Sequence, residues 1–199
     1  MRNAVLYVHG KGGSADEAAR YRDLCPDCHV SGVPYRGVTP WETKGEIRAA
    51  YDDLLDRFGR VSVIANSIGA YFTMNALQET RVERALFISP IVDMERLITD
   101  MMSRAGVTEA ELQARGNVDT ESGQLSWEYL QYVRAHALRW TAPTWILYGE
   151  HDDLTPRDVI ESFADRRRAA LTVMEGGEHL FHTEAQEAFL GDWVRRCMA

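Results

Sequence analysis

A serine, a carboxylate and an imidazole each follow a different short apolar run of this chain, in the order Ser67, Asp152, His179. Ser67 stands in Ala65-Asn66-Ser67-Ile68-Gly69, after Val61-Ser62-Val63-Ile64 and before a helix-forming stretch at 70–77. Small residues at both ends of a strand-to-helix corner let a tight turn pass the neighbouring backbone and push a hydroxyl out of a sheet. Asp152 follows Gly149 in Gly149-Glu150-His151-Asp152-Asp153, and His179 closes Gly176-Gly177-Glu178-His179. A glycine-rich stretch, His9-Gly10-Lys11-Gly12-Gly13-Ser14, follows the first apolar run. A hydroxyl is a weak nucleophile until a base takes its proton. An imidazole can be that base, a carboxylate can fix its tautomer, and backbone N–H groups can hold an oxyanion. The chemistry open to this set is acyl transfer through serine.

Each of the three has a rival reading, which for Ser67 is a plain helix cap. Asp153 and Asp93 compete with Asp152, which its register after Gly149 favours. His182 competes with His179, but it precedes Thr183, a helix-capping residue, and so reads as a helix flank. His9 is expected to shape its loop, and His29, His136 and His151 have no partner pattern. Cys25-Pro26-Asp27-Cys28 has redox-dithiol spacing, yet it follows a helix and leads into a strand. A redox pair normally opens a helix, whose N-terminus lowers the thiol pKa, so reduced structural thiols are expected. No second pair completes a zinc site, no His/Asp/Glu spacing suggests another metal, and no cofactor is expected.

The elements that must position these residues are legible. Apolar or β-branched runs at 4–8, 29–33, 61–65, 85–89, 144–148 and 171–174 read as strands buried on both faces. Ser14 with Glu17, Thr43 with Glu46, Thr108 with Glu111 and Thr183 with Gln186 read as capping boxes, and Thr155-Pro156 as a cap followed by proline. Strand and helix in alternation predict an α/β fold: a doubly wound, mainly parallel sheet of about six strands with helices on both faces. From Asp93 to Trp140 only helical patterns occur, so a helical insertion is expected over about 93–140 of a single domain spanning 1–199. In open α/β sheets ligands bind beyond the carboxyl ends of the strands, where Ser67, Asp152, His179 and the glycine-rich loop at 9–14 all fall.

Composition narrows the partners. The net charge of −8 argues against nucleic acid or anionic membrane, and no apolar run is long enough to span a bilayer. The first residues run directly into a strand, so no signal peptide and a cytoplasmic location are expected. The partner is then a small-molecule substrate.

The chain resembles the α/β-hydrolase fold family over essentially its whole length. His9-Gly10-x-Gly12-Gly13 is similar to the family's oxyanion loop and Ala65-Asn66-Ser67-Ile68-Gly69 to its nucleophile elbow. Gly149-x-x-Asp152 is similar to its acid loop and Gly177-Glu178-His179 to its histidine loop. Ala65 stands where glycine is usual, and a start without the two further strands that often precede the oxyanion loop is expected. The resemblance implies a shortened serine hydrolase with a helical cap, Ser67, His179 and Asp152 catalytic, and oxyanion donors in the Lys11 and Ile68 N–H groups. The expected activity is that of a carboxylesterase. Thioesterase, lactonase, amidase or peptidase activity, or ligand binding without turnover, are the alternatives. Lys11, one of two lysines, could attract an anionic substrate. Met101, Met102, Trp127, Leu130, Val133 and Trp140 could supply an apolar wall for a small-to-medium acyl group.

Overall fold

In a computed structural model, which describes residues 3–199, the six apolar runs pair into one parallel sheet. Its strands are β1 (Asn3–Val8), β2 (Cys28–Gly32), β3 (Arg60–Asn66), β4 (Ala85–Ile88), β7 (Thr144–Gly149) and β8 (Ala170–Met174), in spatial order β2-β1-β3-β4-β7-β8. The chain moves outward from β1 to β2, then returns to the other side of β1 with β3. The strand order therefore reverses between β1 and β3, where an open α/β sheet offers a crevice. Val8 pairs with Ala65, so the loops after β1 and β3 leave the sheet side by side.

Alternate residues of each strand face opposite layers. Val5 and Tyr7 of β1, Ile64 of β3, Leu86 and Ile88 of β4 and Leu147 of β7 share one core cluster. It is closed by Ala18 and Tyr21, from a 3-10 turn (Ala15–Ala18) and α1 (Ala19–Arg22), and by Leu190, Trp193 and Val194 of α8 (Glu184–Met198). On β1 and β3 the intervening residues face α2 (Pro40–Phe58) and α3 (Ile68–Leu77). α3 is buried at every position from Gly69 to Leu77. A Cβ on Gly69 would lie 2.3 Å from the His9 carbonyl oxygen and 2.6 Å from that of Val8. Only glycine lets the first turn of α3 lie this close to the end of β1.

The caps at Ser14, Thr108 and Thr183 have the expected reciprocal bonds. α2 begins a turn before the expected Thr43: the Glu42 carboxylate accepts from the Val38 and Thr39 N–H groups at 2.9 and 3.1 Å. Thr43 is instead buried inside the helix, its hydroxyl donating to the Thr39 carbonyl. α7 (Arg157–Arg167) starts one residue later than the Thr155-Pro156 pair implied, with Pro156 at the cap.

The chain divides into two compact units, one running up to Val92 and again from Arg139 to Ala199, the other Asp93–Leu138. The second unit holds α4 (Met94–Ala105), α5 (Glu109–Arg115) and α6 (Trp127–Ala135). It also contains an antiparallel hairpin of β5 (Asn117–Thr120) and β6 (Gly123–Ser126), which corrects the purely helical expectation. Glu121 and Ser122 of the polar 119–123 segment form its turn, and only Val118 and Leu125 of its strands are buried. Arg134 of α6 donates to Glu95 of α4 and Glu109 of α5, joining three helices of this unit. Among the described residues no helix is long and apolar enough to cross a membrane.

Gly69→Ala should cost about 1–3 kcal/mol, as overpacking against rigid backbone does. The readout is a lower urea midpoint with an unchanged slope; an unmoved midpoint contradicts the close approach.

Candidate active site

Ser67 connects β3 to α3 with φ 50° and ψ −121°, a conformation that L-residues rarely adopt. Such a backbone costs roughly 1–3 kcal/mol and persists only where its surroundings fix it. Here the Ser67 N–H donates to the Ile88 carbonyl at 3.0 Å, and the Ser67 carbonyl accepts from Ala70 and Ile91 at 3.1 Å each. Ala65, where the family usually has glycine, is fully buried between Val8 and Phe87, and its methyl group is accommodated there.

The hydroxyl so presented meets His179. Ser67 Oγ lies 2.9 Å from His179 Nε2, and His179 Nδ1 lies 2.8 Å from Asp152 Oδ2. A carboxylate can only accept, so Nδ1 carries the proton towards Asp152 and Nε2 accepts from the serine. The Asp152 side chain has no exposed surface and that of His179 is 9% exposed. The remaining carboxylate oxygen of Asp152 accepts from the Leu154 and Thr155 N–H groups at 2.9 and 3.1 Å. Both oxygens of this buried anion are therefore satisfied.

The loops bearing Asp152 and His179 are locked together by backbone. The His151 N–H donates to the Gly177 carbonyl at 2.8 Å and the Glu150 N–H to the Met174 carbonyl at 3.0 Å. A Cβ on Gly149 would lie 2.6 Å from the Gly177 oxygen, so this glycine permits the contact. Glu150 adds a side-chain bond to the Gly176 N–H at 2.9 Å. Beyond His179, Phe181 is buried with φ 45° and anchors the loop in the core. The sequence carried no pattern for Glu150 or Phe181; an apolar residue two places after a loop histidine was the one available hint.

The rivals have other occupations. Asp93 caps α4 by accepting from the Arg96 N–H, and Asp153 is exposed. His182 is exposed, with its ring 3.3 Å from Glu178. His9 stacks on Tyr35 with ring centroids 4.0 Å apart, and the Tyr35 hydroxyl donates to the His9 carbonyl at 2.6 Å. Tyr35 is thus a shaping residue that sequence reasoning did not single out. Gly10 packs against the elbow: a Cβ there would lie 3.3 Å from Ser67 Cβ. Lys11 follows on an exposed turn. Ile68 is the first residue of α3, so its N–H has no acceptor within the helix.

The apolar-wall residues separate. Met101 and Trp127 are half-buried in the second unit, whereas Met102 and Leu130 are buried as packing. Trp140 corrects the expectation outright: it lies in the first unit, packed on Phe87, with its indole N–H donating to Thr144. Among the described residues no group of His, Cys, Asp or Glu is placed to hold a metal ion. Cys25 is a free buried thiol whose pKa is pushed up to about 11, chiefly by burial and then by Cys28. Burial also raises Cys28, the reverse of what an activated dithiol needs.

A parallel sheet with a serine elbow after β3, an acid loop after β7 and a histidine loop after β8 is the architecture of an α/β hydrolase. The chain belongs to the alpha/beta hydrolase family, whose model matches residues 5–192. No curated protein sequence gives a significant match. Solved structures share the fold at low identity. Est1E from Butyrivibrio proteoclasticus superposes with a TM-score of 0.76 at 16% identity, over 98% of this chain and 86% of its own. Mouse alpha/beta hydrolase domain-containing protein 10 gives 0.73 at 17%, over 98% and 89%. An esterase of Pyrobaculum calidifontis gives 0.65 at 19%, over 98% and 74%.

Cys25 should resist iodoacetamide at pH 8 in the native protein, while all three cysteines react in urea. Peptide mapping reads the difference, and equally fast native modification of Cys25 contradicts an inert thiol.

Proposed function

We propose that the protein is a serine hydrolase that cleaves small-to-medium acyl esters through Ser67, His179 and Asp152. The observation that carries this reading is the unbroken hydrogen-bonded path from Ser67 Oγ through both nitrogens of His179 to a buried, fully bonded Asp152. Ser67 Oγ attacks the acyl carbon as His179 Nε2 takes its proton. Asp152 stabilises the imidazolium that forms. The Lys11 and Ile68 N–H groups hold the oxyanion of the tetrahedral intermediate, an interaction whose loss typically costs about 3–4 kcal/mol. Collapse breaks the bond to the leaving alkoxide, which takes the proton back from His179 and departs as an alcohol. Water, deprotonated by the same nitrogen, then attacks the acyl-enzyme and releases the carboxylic acid with Ser67 restored. Thioesters, lactones and small amides would use the same groups.

Hydrolysis of a p-nitrophenyl ester series tests this reading. Ser67→Ala should abolish turnover, and Asp152→Asn should lower kcat by about 10^4-fold, because an amide in place of the carboxylate favours the wrong imidazole tautomer. Full activity in folded Ser67→Ala rejects the mechanism.

The exposed Lys11 side chain gives a separate expectation. Lys11→Ala leaves the backbone donor in place, so it should lower kcat/KM only for esters bearing a carboxylate or phosphate, by about 2–5-fold. Equal loss on neutral esters removes any role for the cation.

A further inference from the structure

Tyr7 is fully buried in β1, yet its hydroxyl is bonded on both sides. It donates to Glu17 Oε2 at 2.5 Å and accepts from Asn66 Nδ2 at 2.9 Å. Burial first, then the neighbouring Tyr21 and Glu17, hold its pKa far above the usual phenol range, so the hydroxyl keeps its proton. The other Glu17 oxygen accepts from the Ser14 N–H at 3.1 Å. A Cβ on Gly13 would lie 2.6 Å from that same oxygen, so the glycine lets the loop rest on the carboxylate.

The two ends of this path are the two sides of the crevice. On one side the Gly13 N–H donates to the Gly10 carbonyl at 3.1 Å, closing a turn with Lys11 and Gly12 at its centre. Gly12 has φ +78°, as the third residue of a type II turn requires. On the other side Asn66 ends β3 and immediately precedes Ser67 and Ile68. An oxyanion must lie about 2.7–3.1 Å from each donor, and here the donors come from loops far apart in sequence.

We propose that Glu17, Tyr7 and Asn66 are positioning residues that set the separation of the Lys11 and Ile68 N–H groups, through the continuous path Ser14 N–H, Glu17, Tyr7, Asn66. The inference rests on the acyl-transfer reading above. None of the three touches the reacting atoms. Their effect is to stop the glycine turn from drifting away from the elbow as negative charge develops between them.

Tyr7→Phe deletes the hydroxyl at nearly constant volume, and Glu17→Ala deletes the carboxylate at an exposed position. Each should lower kcat roughly 10-fold or more with KM nearly unchanged. Each should weaken inhibition by an acyl trifluoromethyl ketone, which mimics the oxyanion, by the same factor. Glu17→Gln, which keeps one acceptor, should recover part of both losses. Wild-type kcat and inhibitor affinity in both folded deletion variants would overturn the proposal, as would losses confined to KM. If Tyr7→Phe does not fold, Glu17→Ala decides alone. A wild-type protein that neither turns over esters nor binds the ketone removes the acyl-transfer reading itself, a result distinct from wild-type behaviour in the variants.

Discussion

The first turn of α3 lies against the end of β1, with Gly69 where any side chain would collide with the Val8 and His9 carbonyls. That contact fixes the place of the whole C-terminal edge. It sets the Ser67 elbow beside the glycine turn of β1, and it leaves the Ser67 backbone in a strained conformation. The strain of roughly 1–3 kcal/mol is small beside the burial of α3, every residue of which from Gly69 to Leu77 is removed from solvent. A buried helix on a parallel sheet thus supports a turn that no isolated peptide would hold.

The second constraint lies two strands away. β7 and β8 are neighbours, and Gly149 pairs with Met174 at their ends. The loops that follow bond backbone to backbone, so Asp152 and His179 move as one piece rather than as two flexible side chains. The 2.9 Å step from His179 to Ser67 then joins this piece to the elbow. Preorganisation of this kind limits reorganisation when charge develops, which is where electrostatic stabilisation is most effective.

Much of this was legible in the sequence because each feature has a local cause. The six sheet strands are short apolar runs, and their alternation with capped helices leaves few topologies open. Ser67, Asp152 and His179 are marked by glycines that close approaches require. The hairpin at 117–126 was not legible, since its polar strands bury one residue each and mimic a linker. The start of α2 is ambiguous in the sequence because Thr43 with Glu46 repeats the pattern of Thr39 with Glu42 one turn later, and burial of Thr43 distinguishes them. Tyr7, Glu17 and Asn66 gave no signal as a group, because Glu17 meets Tyr7 only where the 3-10 turn packs on β1, and Asn66 meets it only through the pairing of β1 with β3.

Everything in the proposed mechanism turns on whether Ser67 is an activated nucleophile. Exposure to a fluorophosphonate, followed by intact mass and peptide mapping, tests it most directly. One adduct is expected, located on Ser67 and absent from Ser67→Ala. An unmodified, folded wild-type protein, or an adduct on another residue that persists in the variant, would contradict it.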